Sequence, residues 1–182
     1  VGGPCISKDP HILINMSQKV GFEPEMIKVS RKINELYPSL IAQRIMDFFS
    51  KKGKSLNELR ILMVGFAFKG FPVTADLRDS TSIMLMNELL NISKCKILAY
   101  DPVVSKKDIK KIKGIKMIQE KPNFDDIDAL IIANNHQSYK DWDIYEIISK
   151  MNKPGLIYDG WCMLDRKPIS KIKEIEYMAP GL

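Results

Sequence analysis

Ile61-Leu62-Met63-Val64-Gly65-Phe66-Ala67-Phe68-Lys69-Gly70 is the stretch whose reading decides the fold. Four apolar residues in an unbroken run, closed by glycine, describe a strand buried on both faces, as in the centre of a parallel sheet. Downstream of it the texture alternates. Residues 80–90 have helical period, and Ile97-Leu98-Ala99-Tyr100 is a second strand that ends at Asp101-Pro102. A basic helix follows over 106–113, then a short strand at 116–118. Ala129-Leu130-Ile131-Ile132-Ala133 is another buried strand, 144–151 a helix, and Gly155-Leu156-Ile157-Tyr158 a strand ending at Asp159-Gly160. A final strand is expected over 174–177. Strand and helix in such alternation predict a doubly wound parallel α/β domain. Its ligand site belongs at the carboxyl ends of the strands, near the topological switch.

Upstream of the first strand, Lys51-Lys52-Gly53-Lys54-Ser55 reads as a linker. From Pro24, apolar residues recur at three- and four-residue steps through Ile33, Leu36, Tyr37, Leu40, Ile41, Ile45, Phe48 and Phe49. That stripe predicts a long connecting helix packed against another domain or a second subunit. Pro38 lies inside it and is expected to kink or break it. Before it, 11–20 reads as a helix with Asp9 as N-cap, Pro10 at the first position and Gly21 as terminator.

The composition, 182 residues at 45% hydrophobic and 27% charged, suits one sizeable core or one core with an appendage. No apolar run approaches the roughly 18 residues of a membrane span, so no membrane is expected. Three widely spaced cysteines, Cys5, Cys95 and Cys162, suit reduced thiols in a cytoplasmic protein. The net charge of +6 raises nucleic acid as a partner. The densest basic cluster, Lys106, Lys107, Lys110, Lys111 and Lys113, has no aromatic residue interleaved, so it reads as a solvated helix face. A modest positive charge also suits a small anionic ligand such as a nucleotide diphosphate. The opening at Val1, inside a motif, suggests a piece of a longer protein.

That motif is Val1-Gly2-Gly3-Pro4-Cys5-Ile6-Ser7-Lys8-Asp9, which packs a thiol, an ammonium and a carboxylate into five residues behind two glycines. Cys5 is either a nucleophile, favoured as thiolate by a nearby cation and helix start, or an ordinary small apolar residue. Asp9 can position or deprotonate a water, or merely pair with Lys8. After the first strand, Gly65 and Gly70 have phosphate-loop spacing, but Phe71 stands where that loop needs lysine. No Gly-x-Gly-x-x-Gly occurs, so the dinucleotide fingerprint is missing. Lys69 and Arg78 can clamp phosphates, and Arg78 can equally pair with Asp76. Asp101 is either a ribose-binding acid or a turn residue. Asn134-Asn135-His136 either face a base or sugar, or cap the next segment. Neither His11 nor His136 has ligand-type neighbours at metal spacing, and no metal is expected.

Taken together, Gly2-Gly3-Pro4-Cys5-x-x-Lys8-Asp9, Gly65-Phe66-Ala67-Phe68-Lys69, Asp76-Leu77-Arg78-Asp79-Ser80, Tyr100-Asp101-Pro102 and Tyr158-Asp159-Gly160 resemble, in order, the UDP-glucose/GDP-mannose dehydrogenase family. The resemblance implies an NAD-dependent oxidation of a nucleotide sugar at C6, from alcohol to carboxylate, through a thiohemiacetal and thioester on Cys5. It implies that Asp9 orients or activates the hydrolytic water and that Lys8 and Arg78 touch NAD. Gly2, Gly3, Phe68 and Lys69 would contact the UDP-sugar or related substrate. It further implies that 1–55 form the end of the active-site loop plus central helices carrying a homodimer interface. Residues 56–182 would be the Rossmann-like sugar-nucleotide domain. The family's NAD-binding domain lies upstream of the cysteine motif, so this piece alone is expected to be inactive. Pro4 stands where serine or histidine is more usual, and the Lys69 to Arg78 spacing is two residues longer than common. Trp161-Cys162 replaces a basic pair that contacts UDP in some members, which weakens the uridine assignment and points to a branch oxidising an N-acetylated sugar nucleotide. The alternative is a sugar-nucleotide-binding module without the chemistry.

Overall fold

A computed structural model describes residues 1–181. Six strands, β1 (Arg60–Val64), β2 (Lys96–Tyr100), β3 (Ile115–Ile118), β4 (Ala129–Ile132), β5 (Gly155–Asp159) and β6 (Ile175–Met178), form one parallel sheet in the order β3-β2-β1-β4-β5-β6. The chain winds outward from β1 in one direction, returns, and winds outward from β4 in the other. This is the doubly wound α/β fold expected from the sequence, and the switch lies between β1 and β4, which pair Ile61 with Ala129 through Val64 with Ile132.

Alternation of side chains along each strand builds two cores. Ile61, Met63, Ala129 and Ile131 face one layer, and Leu62, Val64, Leu130 and Ile132 face the other. The first layer holds α2 (Glu25–Lys51) and α3 (Thr81–Ile92), which pack along each other. The second holds α5 (Ile144–Lys150) and the short α6 (Arg166–Ile169). The basic segment winds for only one turn of helix, α4 (Lys106–Ile109), capped by Ser105. Neither α6 nor the 3-10 turn Gln137–Asp141 was expected, because four or five residues are too few to show a helical period.

Two expectations about the amino-terminal helices are corrected. The long helix neither breaks nor ends at Pro38 but runs on to Lys51. Proline inside a helix costs about 3 kcal/mol, yet burying each of Ile41, Ile45, Met46 and Phe49 returns about 1.5–3 kcal/mol, so packing wins. In α1 (Asp9–Lys19) the N-cap is Lys8, and Asp9 and Pro10 are the first two helical residues. The cap sits one residue early because the chain already coils ahead of it, the amides of Lys8 and Asp9 both donating to the Cys5 carbonyl, at 3.0 and 2.8 Å.

The stretch after α2 is also anchored rather than free. Lys54 reaches Asp128 at 2.5 Å, and Asp128, only 6% exposed, also accepts the amide hydrogen of Arg60 at 2.8 Å. The carboxyl-terminal half of α2 therefore enters the first core, while Met26, Val29, Ile33, Leu36 and Leu40 stay exposed along its other part.

Candidate active site

The loop after β1 is held by side chains from the ends of its two neighbouring strands, β2 and β4. Gly65 has φ of +87°, and a β-carbon there would lie 2.4 Å from Oδ1 of Asn134. The Asp101 carboxylate accepts four amide hydrogens, from Phe66 at 2.6 Å, Ala67 at 3.2 Å, and Val103 and Val104 at 2.8 Å each. Buried Asn134 donates to the Ala67 carbonyl at 3.2 Å, and Asn135 accepts from Gly70 and Phe71 at 2.9 and 3.0 Å. His136 caps the 3-10 turn through Ser138. Of the alternatives open for Asp101 and for 134–136, these bonds realise the structural ones. Asp101 and Asn135 fix the loop as acceptors and Asn134 as a donor, while His136 serves the 3-10 turn.

With its backbone fixed, that loop presents Phe68 and Lys69. The Lys69 ammonium lies 5.3 Å from the centre of the Phe68 ring and has no carboxylate partner among the described residues. The Phe68 amide donates to the Asp76 carbonyl at 3.0 Å, which folds 70–76 back so that Arg78 returns to the same rim. Arg78 forks onto the Asp76 carboxylate, its Nε at 3.0 and 3.1 Å and one terminal nitrogen at 2.7 Å, while remaining 72% exposed. Asp76 is held below its ordinary range chiefly by that guanidinium. Arg78 is held above its own by Asp76 first, with smaller contributions from Cys5 and Asp79. The Cys5 thiol is free and exposed.

The glycines of the amino-terminal segment are demanded by contact with this same rim. A β-carbon on Gly2 would lie 2.4 Å from the Asp79 carbonyl oxygen. One on Gly3, whose φ is +102°, would lie 2.8 Å from the Phe68 ring. Lys8 and Asp9 pair at 3.6 Å, both largely exposed. Asn34 of α2 donates to the Val1 carbonyl at 2.8 Å, and His11 of α1 meets Glu35 at 3.2 Å beside the Arg31–Glu35 pair. Gly3 and Phe68 are therefore brought into contact, Gly2 lies instead against Asp79 and Thr81 close to Arg78, and the Lys8–Asp9 pair stands at the start of α1.

Two features escaped the reading of the sequence. Asp79, inside a stretch quoted for its neighbours, accepts the Gly3 amide hydrogen on its carbonyl at 3.1 Å and the Ser7 hydroxyl on its carboxylate at 2.8 Å. A pocket of about 130 Å³ opens between α2 and α3 at the carboxyl ends of β4 and β5, lined by Asn34, Tyr37, Thr81, Ser82 and Trp161. Trp161 is pinned there by its indole N–H, which donates to the Ala133 carbonyl at 3.2 Å. Among the described residues no three His, Cys, Asp or Glu side chains gather to hold a metal ion. No helix among them is long and apolar enough to cross a membrane.

Known proteins are similar to this chain in sequence and fold. The sequence pattern of the UDP-glucose/GDP-mannose dehydrogenase family, UDP binding domain, matches residues 62–166. The chain is 30% identical over 159 residues to the UDP-N-acetyl-D-glucosamine 6-dehydrogenase of Salmonella typhi, covering 87% of this chain and 36% of that protein. It is 30% identical over 173 residues to the UDP-N-acetyl-D-mannosamine dehydrogenase of Pyrococcus horikoshii, covering 94% and 37%. A solved UDP-D-ManNAc dehydrogenase from Pyrococcus horikoshii superposes with a TM-score of 0.74 at 25% identity, over 98% of this chain and 38% of the other. The chain thus spans little more than a third of the relatives it matches.

Proposed function

Because the chain belongs to the UDP-glucose/GDP-mannose dehydrogenase family, we propose that it is the nucleotide-sugar-binding part of an NAD-dependent 6-dehydrogenase and carries that enzyme's nucleophile, Cys5. The observation that supports this reading is the seating of Gly3 against the Phe68 ring, which brings the segment carrying an exposed thiol to the loop that bears Lys69. In this reading Lys69 binds the substrate diphosphate as a point charge, and Gly2, Gly3 and Phe68 shape the floor beneath the sugar. The names of the relatives above favour a UDP-N-acetylhexosamine.

The chemistry assigned to Cys5 needs a nucleophile and a water activator. The C6 alcohol first loses a hydride and a proton to give the aldehyde; the Cys5 thiol adds across its C=O to give a thiohemiacetal, which loses a second hydride from carbon and the hydroxyl proton to solvent to become a thioester. Asp9 orients the water that attacks the thioester, releasing the carboxylate and returning the proton to sulfur. Lys8 and Arg78 have cationic groups open to solvent that suit the pyrophosphate of the dinucleotide, which when bound supplies the hydride acceptor. The dinucleotide fingerprint is not among these residues, so most of that cofactor's site is assigned to a segment preceding Val1. The exposed stripe of α2 is assigned to a second copy, giving a homodimer, and the unpaired thiols suit the cytoplasm.

Calorimetry on this chain tests the binding half of the proposal. UDP-N-acetylhexosamine should bind, and Lys69→Ala should weaken it by about tenfold, as for a lost charge-assisted contact. Cys5→Ala should leave the affinity unchanged. An absence of heat with every nucleotide sugar would overturn the reading.

A further inference from the structure

Cys5 is bracketed by two residues, Gly3 and Ser7, that both bond to Asp79. The Gly3 amide donates to the Asp79 carbonyl at 3.1 Å, and the Ser7 hydroxyl donates to the Asp79 carboxylate at 2.8 Å. Ser7 also closes back on the Gly3 carbonyl through its amide at 3.2 Å, so 3–7 form a small ring with Cys5 in its middle. One residue from another element thus grips both ends of the turn that presents the thiol.

Asp79 can do this only because of its own backbone. Its φ is +50°, in the left-handed region, where most side chains are strained but aspartate and asparagine are tolerated. In that conformation the carbonyl meets Gly2 and Gly3 so closely that a β-carbon on Gly2 would lie 2.4 Å from it. The carboxylate, turned to Ser7, makes the shorter and charge-assisted bond. Arg78 precedes it directly, so the same two residues tie the thiol segment to the cationic rim.

We propose that Asp79 is a positioning residue that holds the Cys5 turn in register with Phe68, Lys69 and Arg78; this rests on the reading of Cys5 as nucleophile. Asp79 touches neither substrate nor cofactor in this assignment. It fixes where the sulfur stands relative to the bound sugar, through one backbone and one side-chain acceptor. A misplacement of about 1 Å at a reacting atom costs up to about a hundredfold in rate, so a clamp of this kind acts on turnover rather than on substrate affinity.

Three substitutions separate the two acceptors. Asp79→Asn keeps the left-handed conformation and a side-chain oxygen for Ser7, Asp79→Gly keeps only the conformation, and Asp79→Ala keeps neither. In this 182-residue chain, amide exchange at Gly3 and across 5–8 should quicken by about tenfold in the Ala variant, less in Gly, and hardly in Asn, with β1 and β4 unchanged. In the full-length protein the Ala variant should lose about tenfold in kcat with KM within about twofold, and Asn should restore it. Wild-type exchange in a folded Ala variant would overturn the proposal, as would faster exchange with unaltered kcat. If the wild-type protein oxidises no nucleotide sugar, the enzymatic reading falls, and the exchange series alone decides whether Asp79 holds the turn.

Discussion

The Phe68 ring occupies the place where Gly3 would carry a side chain, a β-carbon there lying 2.8 Å from the ring edge. The contact joins the first segment of the chain to the loop after β1, across more than sixty intervening residues. It explains why glycine stands at 3, where φ is also positive.

Gly3→Ala is therefore expected to undock the thiol segment while sparing the sheet. The left-handed backbone alone costs a residue with a β-carbon about 1–2 kcal/mol, and the ring must also move. Turnover by the full-length protein should fall by about tenfold or more, while the thermal midpoint drops only a few degrees. A large cooperative loss of stability with normal activity in the folded fraction would show that Gly3 serves the core instead.

Asp128 is the buried charge on which the start of the sheet depends. It accepts from Lys54 at 2.5 Å, from the Arg60 amide at 2.8 Å and from Asn152 at 3.3 Å. Asp128→Ala leaves the Lys54 ammonium and the Arg60 amide without their acceptor, while Asn152 keeps the Asp126 carbonyl, and is expected to cost about 3–5 kcal/mol in urea unfolding. Asp128→Asn, which keeps an acceptor for the Arg60 amide, should cost less. A loss under about 1 kcal/mol for the alanine variant would contradict the assignment.

The His11–Glu35–Arg31 cluster ties α1, which buries none of its residues, to α2. Arg31 above all holds Glu35 below its ordinary carboxylate range, outweighing an opposing desolvation, with His11 adding a lesser pull in the same direction. A depressed carboxylate stabilises the fold above its unfolded value and loses that contribution as the pH falls through its folded value. The contribution of the Glu35 carboxylate should therefore fade only in acid, below the ordinary glutamate range. Because the pair is exposed, the effect is small and local. NMR shifts of residues 9–19 should report it, and Glu35→Gln should abolish the acid transition.

Self-association should depend on the apolar stripe of α2. Met26, Val29, Ile33, Leu36 and Leu40 recur at three- and four-residue steps and are all exposed. Placing a charge there by Ile33→Glu or Leu36→Glu should convert a dimer to a folded monomer in sedimentation, with the circular dichroism unchanged. A wild-type chain that sediments as a monomer at high concentration would remove α2 as the interface.

Much of this architecture was legible in residue patterns. The apolar runs at Ile61–Val64 and Ala129–Ile132 could be read because both faces of a central strand are buried. The parallel order followed from the alternation of elements. Pro38 misled because its local cost is visible in sequence, whereas the burial of Ile41, Ile45 and Phe49 that outweighs it is not. Around the thiol, Cys5, Lys69 and Arg78 could be singled out by residue type. Asp79 could not, since its role rests on a positive φ and on contacts to residues over seventy positions away. Asp101 and Asn135 stayed ambiguous for the same reason, as acceptors with partners that only folding supplies.

The central claim is that Cys5 carries the acyl group. The most direct measurement is mass spectrometry of the full-length protein, quenched while it turns over a UDP-N-acetylhexosamine. The account predicts the sugar covalently attached to the peptide containing Cys5, accumulating further in Asp9→Asn as hydrolysis slows. Undiminished turnover in Cys5→Ala, with no adduct on the wild-type peptide, would contradict it.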